Sequence, residues 1–369
     1  MRQGYVWVLL FFLFCPGIGW AAEGPLKITL GGEGFIPELN PWDALKVGKD
    51  GRIYIADRHH YQIQVFSAAG EFLSAFGGRG EGPGFFKRWF GEFDIGPEGN
   101  VYQVDYWGGN RSISVFDPSG RFVRRFKIDL AVNFGVGELA ALGEDRFLLG
   151  ISRDQLLKRM GEIVFMGSNV VFVLADKNGK ILREFFREFE YHSFSYGQDR
   201  GWPNIPYGVN LLSRYDRRSG IIAYQKNHGD QVYFHHLQSG RKNAHNNGFQ
   251  PVAVTRDHLR EWIDTHVKDN RRMQFFKEYY RKLLSLGRTV EEYQPIVSGM
   301  VFDAAGNLHV FSVKSEEGYQ VSVVSPDRGL LRRYQALHPP CLITDRKTYS
   351  LIWDDREELY TLEIRDHSV

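Results

Sequence analysis

A hairpin-like segment recurs four times along the chain, and this repetition constrains the fold more than any other feature. In the copy VFDPSGRFVRRF, residues 115–126, an apolar pair is followed by a turn and a second apolar segment that ends in Phe. Asp117, Pro118 and Gly120 stand at the first, second and fourth turn positions, as a type I turn prefers. Two short apolar segments joined by such a turn predict a β-hairpin. The other copies are VFSAAGEFLSAF at 65–76, VLADKNGKILREF at 173–185 and VVSPDRGLLRRY at 323–334.

A second hairpin precedes each of these copies, so the repeating unit has four strands. Gly51 and Gly99, in the turns of two such hairpins, lie 99 − 51 = 48 residues apart. Gly70 and Gly120 lie 120 − 70 = 50 residues apart. A four-stranded unit with a period of about 40 to 50 residues is typical of a β-propeller blade. The preceding hairpins span residues 44–57, 92–105, 139–152 and 299–312.

The count of units predicts an all-β, six-bladed β-propeller. The fourth blade is degenerate but keeps both turns, and the sixth, CLITDRKTYSLIWDDREELYTLEIRD, supplies only three strands. The segment PLKITL at residues 25–30 is a lone strand, and we expect it to pair with LYTLEI at 359–364. This pairing would close the ring and remove both sheet edges. The expected blades cover about 42–78, 90–128, 137–187, 214–244, 297–337 and 341–366.

Residues 76–116 contain an FG-x-x-G-x-G-x-G-x-F loop, a D-x-x-G-N-x-Y-x-x-D strand pair and a strand ending in Val-Phe. These motifs resemble the NHL repeat, a family of six-bladed propellers. The resemblance is strong over residues 35–128 and weaker near 300–334, and Gln62 stands where the family usually has Arg. It implies a propeller architecture and says little about function, because one fold serves many activities.

The first 22 residues have the pattern of a secretory signal peptide. Arg2 precedes the apolar segment YVWVLLFFLF at 5–14, and small residues near Ala22 form a cleavage site. We therefore expect residues 1–22 to be a signal peptide, residues 23–369 to form the propeller, and the protein to be extracytoplasmic, either periplasmic or secreted. An uncleaved anchor is the alternative, although the segment is short for a membrane span. The mature chain would have no integral membrane span and one thiol, Cys341.

The long excursions between strands are expected to lie on one rim of the ring. Strand direction alternates in each blade, so loops after even-numbered strands return to one edge and the tight turns lie on the other. The longest excursion, about 50 residues between blades four and five, contains a helical pattern at about 255–287 with Thr255 as N-cap. It forms either a basic lid over the channel or an insertion packed on the rim. The other excursions are 76–91, 153–168 and 186–207.

Loops on a rigid scaffold are where binding usually resides, so this rim is the predicted site. The ligand is expected to be an unknown protein, peptide or carbohydrate, because aromatic rings stack on sugars and on peptide side chains alike. In the alternative interpretation, the aromatic residues, including Phe85 and Phe86, fill gaps between blades. The net charge of +2 gives no broad basic face for nucleic acid. The predicted site residues are Arg79, Trp89, Tyr106, Trp107, His192 and Trp202.

No catalytic residue is predicted. Asp57 and Asp105 end equivalent strands in two blades, and this repetition favours a role in fixing turns. No HExxH, CxxC or GxSxG motif is present. We therefore expect a binding module with no cofactor. The alternative is a metal-dependent propeller enzyme, a lyase or an esterase-like hydrolase, holding Ca or Zn in the central channel through histidines or the acids Asp43, Glu92, Asp94 and Glu138.

Overall fold

The strands of the chain form six antiparallel sheets of four strands each, arranged as the six blades of an all-β propeller. The fold class predicted from the repeat is confirmed. The computed structural model describes residues 25–30, 44–86, 90–105, 112–128, 136–143, 146–196, 206, 210–268, 276–286, 293–354 and 359–367.

In the first five blades the innermost strand comes first in the chain, and the next three follow outward. In the first three blades the strands are β2 (Leu45–Val47), β3 (Ile53–Asp57), β4 (Gln62–Phe66), β5 (Phe72–Gly77), β6 (Phe90–Ile95), β7 (Val101–Asp105), β8 (Ser112–Phe116), β9 (Phe122–Lys127), β10 (Val136–Gly143), β11 (Arg146–Met160), β12 (Ile163–Asp176) and β13 (Ile181–Tyr196).

The fourth blade keeps all four strands despite its divergent sequence. In the last three blades the strands are β14 (Leu211–Asp216), β15 (Ile221–Lys226), β16 (Gln231–His236), β17 (Lys242–Asn246), β18 (Val297–Phe302), β19 (Leu308–Ser312), β20 (Tyr319–Ser325), β21 (Gly329–Ala336), β22 (Leu342–Ile343), β23 (Lys347–Asp354) and β24 (Leu359–Asp366).

The ring is closed by the strand expected from the sequence. β1 (Leu26–Leu30) pairs antiparallel with β24, from Leu26 opposite Ile364 to Leu30 opposite Tyr360. Blade six therefore has the order β22, β23, β24, β1, with its outer strand supplied by the other end of the chain. The predicted pairing of 25–30 with 359–364 is confirmed.

The tight turns carry the glycines that the repeat predicted. Gly51, Gly70, Gly99 and Gly120 all have positive φ, and each amide donates to the carbonyl three residues earlier. Only glycine adopts this backbone conformation without a steric penalty. We call the edge with these turns the turn rim, and the edge with the second-to-third-strand and inter-blade connections the loop rim. On the turn rim, the Arg52 guanidinium of blade one donates to the Pro118 carbonyl of blade two at 3.0 Å.

Each junction between neighbouring blades is filled by its own apolar cluster. Between blades two and three, Phe147, Leu149 and Val173 are fully buried against Tyr102 and Val115. Between blades six and one, Leu30 of β1 is fully buried with Leu362 and Cys341. These junctions supply the core of the propeller, because burial of apolar surface is the main favourable contribution to folding.

Blade three differs from the sequence-based expectation. Residues 153–168 were expected to form a loop, but β11 and β12 continue through them and pair from Arg153 opposite Asn169 to Met160 opposite Ile163. β13 follows the extension to Tyr196. The sequence QLLKRMGEIVF has no run of turn residues besides Gly161, so the hairpin lengthens instead of breaking. The expectation of a loop was wrong, and the excursion is a sheet that extends beyond the loop rim.

In its described residues, the insertion between blades four and five has two helices, α1 (Arg256–Lys268) and α2 (Lys277–Leu286). Thr255 is the N-cap of α1, because its Oγ1 accepts from the His258 amide at 3.2 Å. Both helices pack on the blade-three extension, and we call this assembly the rim lobe. Within the described residues, neither helix is long and apolar enough to cross a bilayer. The core of the lobe contains Ile163, Phe165, Phe194, Val267, Tyr280 and Leu283.

One prediction concerns His235, which is 4% exposed and stacks on the Phe186 ring at 4.8 Å. Burial is the main cause that lowers the pKa of His235 to about 4, and nearby Lys242 and Arg183 contribute to the same shift. The unfolded chain then takes up this proton more readily, so stability is present above about pH 6.5 and is lost as the pH falls toward 4. We expect His235→Phe to reduce the loss of unfolding free energy between pH 7 and pH 5 by about 1–2 kcal/mol. Urea denaturation at both pH values checks this, and an unchanged loss in the variant would contradict it.

Candidate functional site

The best-defined constellation on the loop rim lies in blade one and includes Arg79. The exposed Arg79 guanidinium lies 4.8 Å from the centroid of the Tyr61 ring, and its Nη2 donates to the Tyr61 hydroxyl at 3.3 Å. An arginine stacked on an aromatic face is held in place while its remaining N–H groups stay available. The guanidinium is therefore presented to solvent in one orientation.

Tyr61 has a backbone conformation that side-chain-bearing residues rarely adopt, with φ of 61°. The conformation persists because the Tyr61 carbonyl accepts from the Gly78 amide at 2.7 Å. A Cβ at Gly77 would lie 2.7 Å from this carbonyl oxygen, so the Gly77-Gly78 pair is required for the contact. Strained residues of this kind cost about 1–3 kcal/mol and are concentrated at functional sites.

Asp57 fixes the conformation of the same loop through hydrogen bonds. It is fully buried, and its Oδ1 accepts from the amides of His59 and His60 at 3.1 and 3.2 Å. Its Oδ2 contacts Nδ1 of His60 at 2.7 Å and accepts from Gln64 Nε2 at 3.1 Å. The predicted turn-fixing role of Asp57 is confirmed. His60 remains 42% exposed, so the carboxylate also orients an imidazole on the rim.

The sequence reasoning named Arg79 but missed Tyr61 and the His60–Asp57 pair as parts of one site. The Asp-x-x-His spacing was a usable signal, but the left-handed conformation of Tyr61 was not visible in the sequence. Phe86 is 1% exposed in the junction between blades one and two, so it fills a gap, as the alternative interpretation held. Phe85 is 44% exposed.

Of the other predicted site residues, His192 lies within the described part of the chain. His192 lies in β13 on the blade-three extension, at a register shift between Tyr191 and Ser193. Its backbone is therefore part of the rim lobe. Trp89, Tyr106, Trp107 and Trp202 lie outside the described residues.

A buried carboxyl group lies where the rim lobe meets the inner strand of blade four. Glu190 of β13 accepts from Ser168 Oγ at 3.4 Å and from the Leu211 amide at 3.3 Å. Burial raises the pKa of Glu190, although these two hydrogen bonds oppose the change. Carboxyl groups with raised pKa values are more frequent at functional sites than elsewhere, so Glu190 adds a second titratable group to the loop rim.

Two of the acids expected to face the channel form hydrogen bonds with residues of other blades. Asp94 accepts from the Ala141 amide at 2.8 Å and from Arg217 at 2.5 Å, and Glu138 accepts from Ser213 Oγ at 3.0 Å. Asp43 lies outside the described residues. The described part of the chain has no group of three or more His, Cys, Asp or Glu side chains placed to share a metal ion.

Comparisons with known proteins agree with this architecture. The model of the DUF5128 family, described as a six-bladed β-propeller, matches residues 42–188, which span the first three blades. No curated protein matches the chain.

Two solved structures resemble the whole ring. A member of the duf4221 family from Bacteroides vulgatus is 9% identical, with a TM-score of 0.54, over 94% of this chain and 98% of the other. A candidate exported protein from Bacteroides fragilis is 11% identical, with a TM-score of 0.51, over 93% of this chain and 95% of the other. Identity this low indicates a shared fold alone. The family match and these structures together identify the chain as a six-bladed β-propeller.

Proposed function

We propose that the protein is an exported propeller of the NHL-repeat type that binds a protein, peptide or carbohydrate ligand on its loop rim. The ring supplies rigidity, and the excursions from several blades supply the contacts. In this role the protein performs no chemistry.

The presentation of Arg79 is the observation that carries the proposal. Its guanidinium is exposed and fixed on a strained Tyr61, and the Asp57–His60 pair lies in the same loop. A strained loop conformation persists only where the surrounding contacts hold it in place. Here those contacts fix the Arg79 guanidinium and the His60 imidazole at the loop rim. Such fixed polar groups give a ligand its orientation and specificity.

Two further features support the proposal. The rim lobe adds a sheet extension and two helices to the described part of the loop rim, beyond what the ring needs. Export is supported by the signal-like pattern at residues 1–22 and by the candidate exported protein among the structures of similar fold.

A thermal-shift screen of peptides and saccharides, followed by calorimetry, tests the rim. We expect Arg79→Ala to weaken binding of a ligand found in the screen by about 1–3 kcal/mol, because a charge-assisted hydrogen bond is lost. Trp107→Ala and Trp202→Ala should have effects of about 1–3 kcal/mol through lost aromatic contact.

The control is Arg121→Ala, which removes an exposed arginine on the turn rim. Binding that is weakened by Arg121→Ala and unchanged by the three loop-rim variants would disprove the proposed site.

Elemental analysis of the purified protein distinguishes a binding module from a metal-dependent enzyme. A stoichiometric metal would favour the alternative of a metal-dependent enzyme.

A further inference from the structure

The face that blade six presents to blade five is more polar than the equivalent face of blade three. In blade three, the second and third strands pack on blade two through residues that are at most 1% exposed. The register identifies equivalent positions, because Leu149 pairs with Val173 as Ser350 pairs with Glu363. Blade three presents Phe147, Leu149, Val173 and Ala175, and blade six presents Thr348, Ser350, Glu363 and Arg365 at the equivalent positions.

The facing side of blade five has changed in the same way. Between blades two and three, the Phe147 ring packs between Tyr102 and Phe126, with centroids at 5.0 and 5.3 Å. In blade five, His309 replaces this tyrosine and Tyr334 replaces Phe126. Nδ1 of His309 lies 2.9 Å from the Tyr334 hydroxyl, and its Nε2 lies 3.1 Å from Asp303 Oδ2. Burial raises the pKa of Tyr334 to about 12, so the hydroxyl keeps its proton.

The closure of the ring adds a third difference at this junction. In blade two, Arg124 lies over the Phe126 ring and donates at 2.9 Å to the Lys177 carbonyl, in the outer turn of blade three. Arg332 is the equivalent residue in blade five and lies over the Tyr334 ring at 5.8 Å. In blade six the third and fourth strands are β24 and β1, which come from opposite ends of the chain. These two strands are not joined by a tight turn like the one that carries Lys177 in blade three.

These differences leave a groove of about 850 Å³ between blades five and six. Its walls include His309, Arg332, Ser350, Glu363 and Arg365, and Ala336, Pro340 and Ile343 add apolar surface. Grooves of about 300–1,000 Å³ are the usual size of small-molecule sites. Polar side chains in place of apolar ones reduce the apolar packing of a junction, and departures of this kind are concentrated at functional sites.

The charges of the groove are mostly compensated within the protein. Glu363 lies 2.6 Å from Arg365 and 3.9 Å from Lys27. Asp345 lies 3.6 Å from Arg218, and Asp303 is bound to His309. Paired carboxylates and guanidiniums still have spare lone pairs and N–H groups, so the groove is rich in hydrogen-bonding groups without a large net charge. This arrangement suits a ligand with many hydroxyl groups and an apolar face better than an ion.

We propose that the groove between blades five and six binds a saccharide unit, independently of the loop-rim site. Arg332 and the paired Glu363 and Arg365 would form hydrogen bonds with ring hydroxyls, while Tyr334 and Ala336 contact the C–H face of the sugar. The groove extends from the turns at Asp303 and Asp345 to the connection between blades five and six, where Leu337, His338 and Pro340 line it. It is separate from the Arg79 site in blade one, so the protein would have two binding sites.

The test is an array of neutral and acidic glycans probed with the purified protein, with calorimetry on the glycan that binds most tightly. We expect Arg332→Ala to weaken that binding by about 10- to 100-fold. Thr348→Phe restores the aromatic residue found at Phe147 and should block the groove to a similar extent while leaving the fold intact. The control is Arg333→Ala on the same strand, because Arg333 faces away from the groove and donates to the Gly248 carbonyl. Its variant should bind as the unmodified protein does.

Two outcomes would overturn the proposal. One is that no glycan on the array binds. The other is that binding persists unchanged in both Arg332→Ala and Thr348→Phe, which would assign it to another surface such as the loop rim. Binding restricted to polyanions and abolished by about 0.5 M salt would also contradict it, because it would indicate an ionic contact.

Discussion

Deleting residues 23–32 should lower the melting temperature of the protein by about 10 °C or more, because the deletion removes β1, the strand that closes the ring. β1 pairs with β24 over five residues, and Leu30 is fully buried in the junction between blades six and one. Without β1 the sheet of blade six loses its outer strand and exposes the edge of β24, which invites aggregation. Differential scanning calorimetry measures the shift, and light scattering follows aggregation.

Two matched point variants separate the effect of lost apolar burial from the effect of removing the whole strand. Leu30 is 0% exposed and Leu26 is 40% exposed in the same strand. Leu30→Ser should cost about 2–4 kcal/mol of unfolding free energy, the usual range for truncating a buried leucine, and Leu26→Ser less than 1 kcal/mol. Equal effects of the two variants, or an unchanged melting temperature after the deletion, would show that β1 does not close the ring.

The architecture was predictable because each blade repeats its turn chemistry. Gly51, Gly70, Gly99 and Gly120 mark the turns in the sequence, and positive φ at each explains why glycine recurs. Closure was predictable because a lone strand and a three-stranded blade are complementary. The extension of blade three was not, because residues 153–168 have the length and charge of a loop and their strand pairing depends on packing against α1 and α2.

The candidate sites were less predictable because they depend on conformation and on register. Arg79 was named from its place in an excursion, but the strain at Tyr61 that fixes it depends on the approach of Gly78. The polar face of blade six becomes visible only when Ser350 is aligned with Leu149 through the strand pairing. In the sequence, Thr348 and Ser350 alternate with apolar residues, as in any half-exposed strand.

Replacing Gly179 with alanine should be among the most damaging single substitutions in the ring, costing about 3 kcal/mol or more of unfolding free energy. Gly179 has a φ of 81°, and a Cβ there would lie 1.9 Å from the Lys127 carbonyl oxygen and 2.8 Å from the Ile128 Cα. Both are backbone atoms of blade two, so the turn of blade three would have to move away from its neighbour.

Gly220 supplies the control for this substitution, because it also lies in a tight turn and has a φ of 67°, but a Cβ there would meet nothing within 4 Å. Gly220→Ala therefore carries only the backbone strain, about 1–2 kcal/mol. The difference between the two variants in urea denaturation measures the close approach of blades two and three. Equal losses of unfolding free energy in the two variants would show that backbone strain in the turn alone determines the cost. They would also show that the outer turn of blade three does not affect the junction between blades two and three, which Phe147 fills.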